Sequence, residues 1–130
     1  DIWYETNDIK IEADFYRGME SMRIHDLIMS IAFFTRVIEK KPDFAEGWNK
    51  RATAYFMMGE FDKSMLDINQ TLNLEPRHFG ALDGMGLIFI HLQQYSEAIK
   101  IYDQMLKFFP NNQSVIDKKN LMKEYLSKSA

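Results

Sequence analysis

The sequence PDFAEGWNKRATAYFMMGEFDKSMLDINQTLNLEP, residues 42–76, decides the fold because it contains two helical patterns bounded by prolines. Apolar residues recur in its first half at spacings of three and four: Trp48, Ala52, Tyr55 and Phe56. This spacing predicts an amphipathic helix over 44–58. Gly59 is expected to end it, since glycine readily adopts the left-handed conformation that closes a helix. A second helix is predicted over 61–74, and Pro76 stops it.

The same pattern repeats along the chain. The prolines Pro42, Pro76 and Pro110 lie 34 residues apart, and apolar pairs such as Ile68 and Tyr102 keep that spacing. A period of this length indicates a helical hairpin that stacks on copies of itself. The other hairpins are predicted at 11–22 with 26–39, and at 79–92 with 96–108.

Local signals predict how these helices begin and end. Asp43 and Glu46 are predicted to cap the helix that begins near Phe44. His25 and Gln94 are expected at the turn position that Gly59 holds in the middle hairpin.

Both ends of the chain carry further helical signals. An amphipathic helix is predicted near the carboxyl end, as a cap whose polar side contacts solvent. Its polar side is expected to hold Lys118, Lys119, Lys123 and Glu124. At the amino end, Ile2, Trp3 and Tyr4 are interpreted as the end of a further helix.

These residues resemble the tetratricopeptide repeat, whose pattern is Trp, Leu, Gly, Tyr, Ala, Phe, Ala and Pro at set offsets. The middle hairpin matches it with Trp48, Ala52, Tyr55, Gly59, Ile68 and Pro76. The third matches with Leu82, Gly86, Phe89, Ala98, Tyr102 and Pro110. The first is weaker, because Asp14 stands at the tryptophan position, while Ser64 and Thr71 replace alanines in the middle repeat.

The resemblance, which includes small bacterial proteins with this repeat, implies an all-α, right-handed α-α superhelix. A single domain is expected over 1–130, with repeats at about 11–44, 45–78 and 79–112 and a capping helix at 113–127. The aromatic residues of the repeats are interpreted as core.

Similar proteins bind a peptide or helix along the concave face formed by the first helix of each pair. The resemblance therefore predicts a groove along these helices, and its positions include Glu12, Tyr16 and Met22. The groove residues are Phe15, Met19, Glu46, Asn49, Lys50, Thr53, Phe56, Met57, Gly80, Asp83, Gly84, Leu87 and Ile90. In it, Asn49 and Lys50 would hold a backbone carbonyl or carboxylate, and the apolar members would form the floor.

Each groove prediction has a structural alternative. Asn49 and Lys50 are equally interpreted as solvated, and the apolar positions as covered by the first helix or a second copy. Gly80 and Gly84 either admit a partner backbone or pack tightly on a neighbouring helix. A subgroup of the family clamps acidic chaperone tails with lysines, asparagines and an arginine. Here Phe15, Met19, Lys50, Gly80 and Gly84 stand at the clamp positions, which disfavours that mode.

Composition narrows the classes of function. The chain has 130 residues, a net charge of −3 and no cysteine, which excludes disulfides and thiolate metal sites. That charge argues against a nucleic-acid partner. His25, His78 and His91 lack the spacing of a zinc helix, and acids such as Asp62 and Asp67 are interpreted as solvated.

We therefore predict a non-catalytic protein-binding module with no cofactor and no metal. No apolar run is long enough to span a membrane. The alternative is a homo-oligomer built from exposed repeat faces. The compartment is taken as cytoplasmic by default, or periplasmic if the chain is a processed mature form.

Overall fold

In the computed structural model, the backbone is described for residues 2–129 and the side chains for residues 8–128. This part of the chain is helical and contains no strand. The helices are α1 (Ile2–Arg23), α2 (Leu27–Lys40), α3 (Ala45–Met57), α4 (Phe61–Leu74), α5 (Phe79–His91), α6 (Tyr95–Phe108) and α7 (Gln113–Ser129). They fall into two compact units, Asp1–Leu74 and Glu75–Ala130, called the N-terminal and C-terminal units below.

The predicted helices are present, with shifted ends. Helix α1 begins far before residue 11, so Ile2, Trp3 and Tyr4 lie in its first turn rather than ending an earlier helix; their side chains are outside the described residues. Helix α6 begins at Tyr95 rather than Ser96. The single-domain organisation over 1–130 stays a prediction.

The turns inside the hairpins share one backbone conformation. Gly59 has a φ of +77°, and His25 and Gln93 adopt φ values of 61° and 59°. The prediction for His25 is therefore correct, but the left-handed residue of the third hairpin is Gln93 and not Gln94. Gln93 is the residue in register, because it lies one 34-residue period after Gly59.

The prediction that Asp43 caps α3 is wrong. Phe44 is the N-cap residue and makes no side-chain capping hydrogen bond. Its place at the cap is explained by its ring, which packs against Phe15 of α1 at a centroid distance of 5.7 Å. Elsewhere side chains do cap: Asp26 accepts from the Met29 amide at 3.2 Å, and His78 Nδ1 accepts from the Ala81 amide at 3.0 Å.

Close helix approach organises the core of the N-terminal unit. Gly18 faces the ring of Phe34, and a Cβ at residue 18 would lie 2.6 Å from its Cε1 atom. Two buried serines add hydrogen bonds between paired helices. Ser30 Oγ donates to the Gly18 carbonyl at 3.0 Å, and Ser64 Oγ donates to the Ala52 carbonyl at 2.7 Å. Serine in place of the expected alanine therefore joins the two helices of a hairpin.

The C-terminal unit repeats this contact between α5 and α6. A Cβ at Gly86 would lie 2.8 Å from Cε1 of Tyr102, which is fully buried. Helix α7 packs on α6 and buries Val115 and Met122. These two residues lie one period after the buried Ala81 and Ile88 of α5, so α7 has the register of a first helix of a hairpin.

Candidate partner-binding surfaces

The N-terminal unit contains a pocket of about 180 Å³ at the face where α1 approaches the start of α3. Its lining residues are Ile11, Glu12, Phe15, Tyr16, Lys41 and Phe44. The pocket is mainly apolar, with Glu12 and Lys41 as its charged members. Three of these residues, Glu12, Phe15 and Tyr16, belong to the predicted groove.

The predicted groove residues of α1 have different environments. Phe15 is half-buried, and its ring contacts those of Phe34 and Phe44, each at a centroid distance of 5.7 Å. It is therefore part of the packing as well as a wall of the pocket. Tyr16 and Met19 are exposed, by 64% and 37%. We call Tyr16 and Met19, together with the pocket, the α1 surface.

Helix α3 offers less free surface than predicted. Asn49 is buried, so its side chain offers little surface either to a partner or to solvent. Thr53 and Met57 are exposed, and Thr53 Oγ1 donates to the Asn49 carbonyl at 3.0 Å. The remaining predicted residues of this helix are half-buried: Glu46, Lys50 and Phe56.

Asp14, at the position of Trp48 in the next hairpin, is buried and forms two ion pairs. Its Oδ2 atom lies 3.2 Å from Lys40 Nζ and 3.3 Å from Arg36 Nε. The two cations of α2 explain how a carboxylate replaces an aromatic ring there, because a buried charge needs partners.

The interpretation of Asp67 as a solvated acid is wrong. Its side chain is only 4% exposed and accepts two hydrogen bonds from Arg51, Nε to Oδ2 and Nη2 to Oδ1, both 2.8 Å long. Arg51 also donates to Thr35 Oγ1 at 3.1 Å and lies over the Trp48 ring at 5.3 Å. Hydrogen bonding to Asp67 raises the pKa of Arg51, so this cation stays charged. The cluster joins α2, α3 and α4.

In the C-terminal unit, the predicted residues of α5 are mostly half-buried. Asp83, Gly84, Leu87 and Ile90 are half-buried, and Gly80 is exposed. Lys118 Nζ of α7 lies 2.8 Å from Asp83 Oδ1, which neutralises that carboxylate. Lys119 pairs with Asp103 of α6. The prediction that Lys118 and Lys119 face solvent is therefore wrong, because both fix α7 against its own unit.

Helix α7 exposes apolar residues that the groove prediction omitted. Leu121 and Tyr125 are each 43% exposed, and the Tyr125 ring contacts that of Tyr95 at a centroid distance of 5.6 Å. Leu121 lies one period after Leu87, and Tyr125 one period after His91. Extending the 34-residue period into α7 would have identified them. We call Leu121 and Tyr125 the α7 surface.

The described residues contain neither a candidate metal site nor a candidate membrane-spanning helix. Their His, Asp and Glu side chains include no group of three placed to hold a metal ion. None of the described helices combines the length and apolar character needed to cross a membrane.

Proteins with known sequences resemble this chain in different degrees. A TPR repeat-containing protein of Rhizobium etli is 40% identical over 98 residues, which are 75% of this chain and 48% of that protein. The Hsp70-Hsp90 organizing protein 1 of Glycine max is 26% identical over 84 residues, which are 65% of this chain and 15% of that protein. The chain thus spans about half the length of the first relative and far less of the second. No family model matches the chain.

Solved structures share the fold over most of the chain. The first TPR domain of Spaghetti (RPAP3), bound to the HSP90 peptide SRMEEVD, has a TM-score of 0.83 at 23% identity, covering 91% of this chain and 96% of that one. The TPR domain of Arabidopsis OM64 has a TM-score of 0.84 at 18% identity, covering 92% and 98%. Together with the 34-residue hairpins and the Rhizobium relative, these matches show that the chain belongs to the tetratricopeptide-repeat family.

Proposed function

We propose that this chain is a non-catalytic protein-interaction module, an adaptor or scaffold that binds a peptide or helix of a partner on the first helices of its hairpins. The observation that carries the proposal is the α1 surface, where exposed Tyr16 and Met19 adjoin an apolar pocket. Concave sites with apolar walls and few charged groups are typical of ligand binding. A side chain of the partner would enter the pocket and provide much of the binding energy.

The relatives and structural neighbours support the class of function. One neighbour is a TPR domain bound to an HSP90 peptide, and another is bound to the HSP70 peptide SGPTIEEVD. Both peptides end in the acidic sequence EEVD. The present chain has Phe15 and Met19 at two positions where the carboxylate-clamping subgroup has polar or basic residues. We therefore propose the peptide-binding role without the clamp.

A peptide library displayed on phage tests this proposal. Selection is carried out on the wild-type chain, on the variant Tyr16→Glu/Met19→Glu, and on the control Leu66→Glu/Leu74→Glu. Leu66 and Leu74 are 67% and 39% exposed on α4, so the control adds the same charge outside the proposed surface. Circular dichroism establishes that all three proteins remain helical.

We expect the wild-type chain and the control to select the same peptides, and the α1 variant to lose them. Peptides retained by the α1 variant would contradict the proposed surface. An empty selection on the wild-type chain would contradict peptide binding itself.

Self-assembly is the second candidate function, and exposed apolar residues near the first turn favour it. Ile24 and Ile28 are 58% and 72% exposed at the junction of α1 and α2. Sedimentation velocity over a hundredfold range of concentration tests it. A dimer abolished by Ile24→Glu/Ile28→Glu supports assembly, and a monomer throughout contradicts it.

A further inference from the structure

Methionine carries all the sulfur of this chain, because the sequence has nine methionines and no cysteine. All nine lie among the residues whose side chains are described. Met105 and Met122 of the C-terminal unit are buried, and Met85 is half-buried. The exposed methionines all belong to the N-terminal unit and are 37–44% exposed: Met19, Met29, Met57 and Met58. Access from solvent therefore divides the methionines into distinct classes.

Two of the exposed methionines lie on the first helices of their hairpins, where the partner is proposed to bind. Met19 belongs to the α1 surface, and Met57 is the last residue of α3. The residue one period after Met19 is Thr53, and Met57 follows Thr53 by four residues. Met57 therefore lies one helical turn further along the same side of the repeat. Both methionines belong to the predicted groove.

The other two exposed methionines lie outside this face. Met29 belongs to α2, the second helix of its hairpin, and Met58 is the C-cap residue of α3. Met58 adjoins Met57 in sequence, but neighbouring residues of a helix point in different directions. Met29 and Met58 are therefore a matched control pair, with the same chemistry and similar exposure.

An exposed methionine reacts with a peroxide at its sulfur atom. The sulfur–oxygen bond forms as the O–O bond of the peroxide breaks. Sulfur gives up two electrons, the peroxide is reduced, and with hydrogen peroxide the other product is water. The methionine sulfoxide is polar, and sulfoxide reductases return it to the thioether. A chain without thiols offers a peroxide no more reactive sulfur than these exposed thioethers.

Oxidation at Met19 and Met57 changes the binding face and leaves the core as it is. Met19 adjoins Tyr16 and the apolar pocket, so a partner that packs there removes water from its side chain. A sulfoxide oxygen opposes this step, because a polar group loses free energy when it is buried without a hydrogen bond. The buried Met105 and Met122 are shielded from the peroxide, so the helix packing they support is retained.

We propose that Met19 and Met57 form a reversible oxidation switch on the partner-binding face. A peroxide weakens binding by converting the two thioethers to sulfoxides, and a sulfoxide reductase restores it. The inference rests on the proposed function and adds the regulation of the same site.

The first test measures which methionines react. The wild-type chain is treated with hydrogen peroxide, the peroxide is removed with catalase, and mass spectrometry of peptides gives the rate at each methionine. We expect Met19 and Met57 to react at least tenfold faster than Met105 and Met122, with an unchanged circular dichroism spectrum. Equal rates at the four residues, or loss of helicity as Met19 and Met57 react, would overturn the inference.

The second test measures binding of a defined probe. The probe is the peptide most enriched in the phage selection, made with a fluorescent label and with norleucine at any methionine. Anisotropy is measured for the wild type, for Met19→Leu/Met57→Leu, and for the control Met29→Leu/Met58→Leu. Each protein is tested untreated, after peroxide and catalase, and after later repair by a sulfoxide reductase with dithiothreitol. Leucine has nearly the volume of methionine and no sulfur to oxidise.

We expect peroxide to weaken binding at least fivefold in the wild type and in the control. Repair should restore both to within twofold. Met19→Leu/Met57→Leu should stay within twofold of its own untreated affinity. Equal losses in this variant and the wild type, or a loss that repair does not reverse, would overturn the inference.

Glutamine variants test the same idea without an oxidant, because the glutamine side chain is polar like a sulfoxide. Met19→Gln/Met57→Gln should bind the probe at least fivefold more weakly than the wild type, and Met29→Gln/Met58→Gln should stay within twofold. Equal affinities of the two glutamine variants would contradict the switch.

The outcome is separable from that of the proposed function. A wild-type chain that binds the probe equally well with Met19 and Met57 fully oxidised would leave the proposed function in place and overturn the switch. A phage selection that yields no peptide would remove the proposed function, and the switch with it.

Discussion

Arg51 and Asp67 form a nearly buried ion pair with two parallel hydrogen bonds, each 2.8 Å long, between α3 and α4. Their side chains are 17% and 4% exposed. In the next repeat their positions are held by Met85 and Ile101, so the pair is a local replacement for an apolar contact. A buried carboxylate depends on its partner far more than a surface one does.

Removal of Arg51 should therefore be costly. Arg51→Ala leaves Asp67 buried and uncompensated, and we expect the free energy of unfolding to fall by about 3–5 kcal/mol. The double variant Arg51→Met/Asp67→Ile, which copies the following repeat, should recover most of that loss. Urea unfolding followed by circular dichroism measures both. A double variant as unstable as Arg51→Ala would show that the ion pair is not the cause.

The backbone conformation of the turns predicts that substitutions at His25 and Gln93 change stability in the opposite direction to a substitution at Gly59. His25→Gly and Gln93→Gly should each raise the free energy of unfolding by about 1 kcal/mol, because glycine adopts positive φ without the steric cost of a Cβ. Gly59→Ala should lower it by a similar amount. No atom lies within 4 Å of a Cβ at Gly59, so backbone strain is the only cost in the folded state. Thermal melting of the three variants measures the signs, and a stabilised Gly59→Ala would contradict the argument.

The contact between Gly86 and Tyr102 predicts that a larger side chain at residue 86 lowers stability. Gly86→Ala should destabilise by about 1–3 kcal/mol, because its Cβ would lie 2.8 Å from Cε1 of the buried ring, closer than van der Waals contact allows. The pair Ala52 and Ile68 occupies the equivalent positions of the middle repeat. Gly86→Ala combined with Tyr102→Ile should therefore be more stable than Gly86→Ala alone. Chemical denaturation measures the free energy of unfolding of the single and double variants. If the double variant loses the sum of the two single losses, residues 86 and 102 are not in direct contact.

The hydroxyl of Tyr102 predicts a dependence on pH. It is buried without a hydrogen-bond partner among the described residues, and burial, followed by the nearby Asp83, raises the pKa of Tyr102 above its ordinary value of 10.0. The unfolded chain loses this proton first, so stability falls as pH rises above 10, by about 1.4 kcal/mol per unit.

Tyr102→Phe removes both the unpaired group and the titration. We expect its stability to equal or exceed that of the wild type at pH 7, with an advantage that grows above pH 10. Urea unfolding at pH 7, 9 and 10.5 measures the trend. Parallel stability curves for the two proteins would contradict a buried, neutral tyrosine.

The repeat period predicts most of the fold because each position recurs in a similar environment. It places Trp48, Gly59 and Tyr102 correctly in their elements, and it identifies His25 as a turn residue despite its side chain. The period does not predict which residue on another helix pairs with a charged side chain. Asp14 and Asp67 are buried because Lys40 and Arg51, each on another helix, neutralise them, and spacing within one helix does not reveal such pairs.

The groove prediction for Asn49 stays a prediction, but the structure leaves this side chain little exposed surface. One face of an isolated helix is assigned from its own pattern, but α3 packs against both α2 and α4, so little of it remains exposed. Helix α7 shows the opposite case. The pattern of this helix alone predicts that its lysines face solvent; Lys123 is exposed, but Lys118 and Lys119 form ion pairs with α5 and α6.

The serine bonds between paired helices have a consequence for redesign of this protein. Ser30 and Ser64 donate to the main-chain carbonyls of Gly18 and Ala52, and neither bond uses a side chain of the first helix. The spacing within these two hairpins therefore does not depend on the exposed side chains of their first helices. We expect that Tyr16, Met19 and Thr53 can be exchanged to change the proposed partner surface while the hairpins keep their geometry.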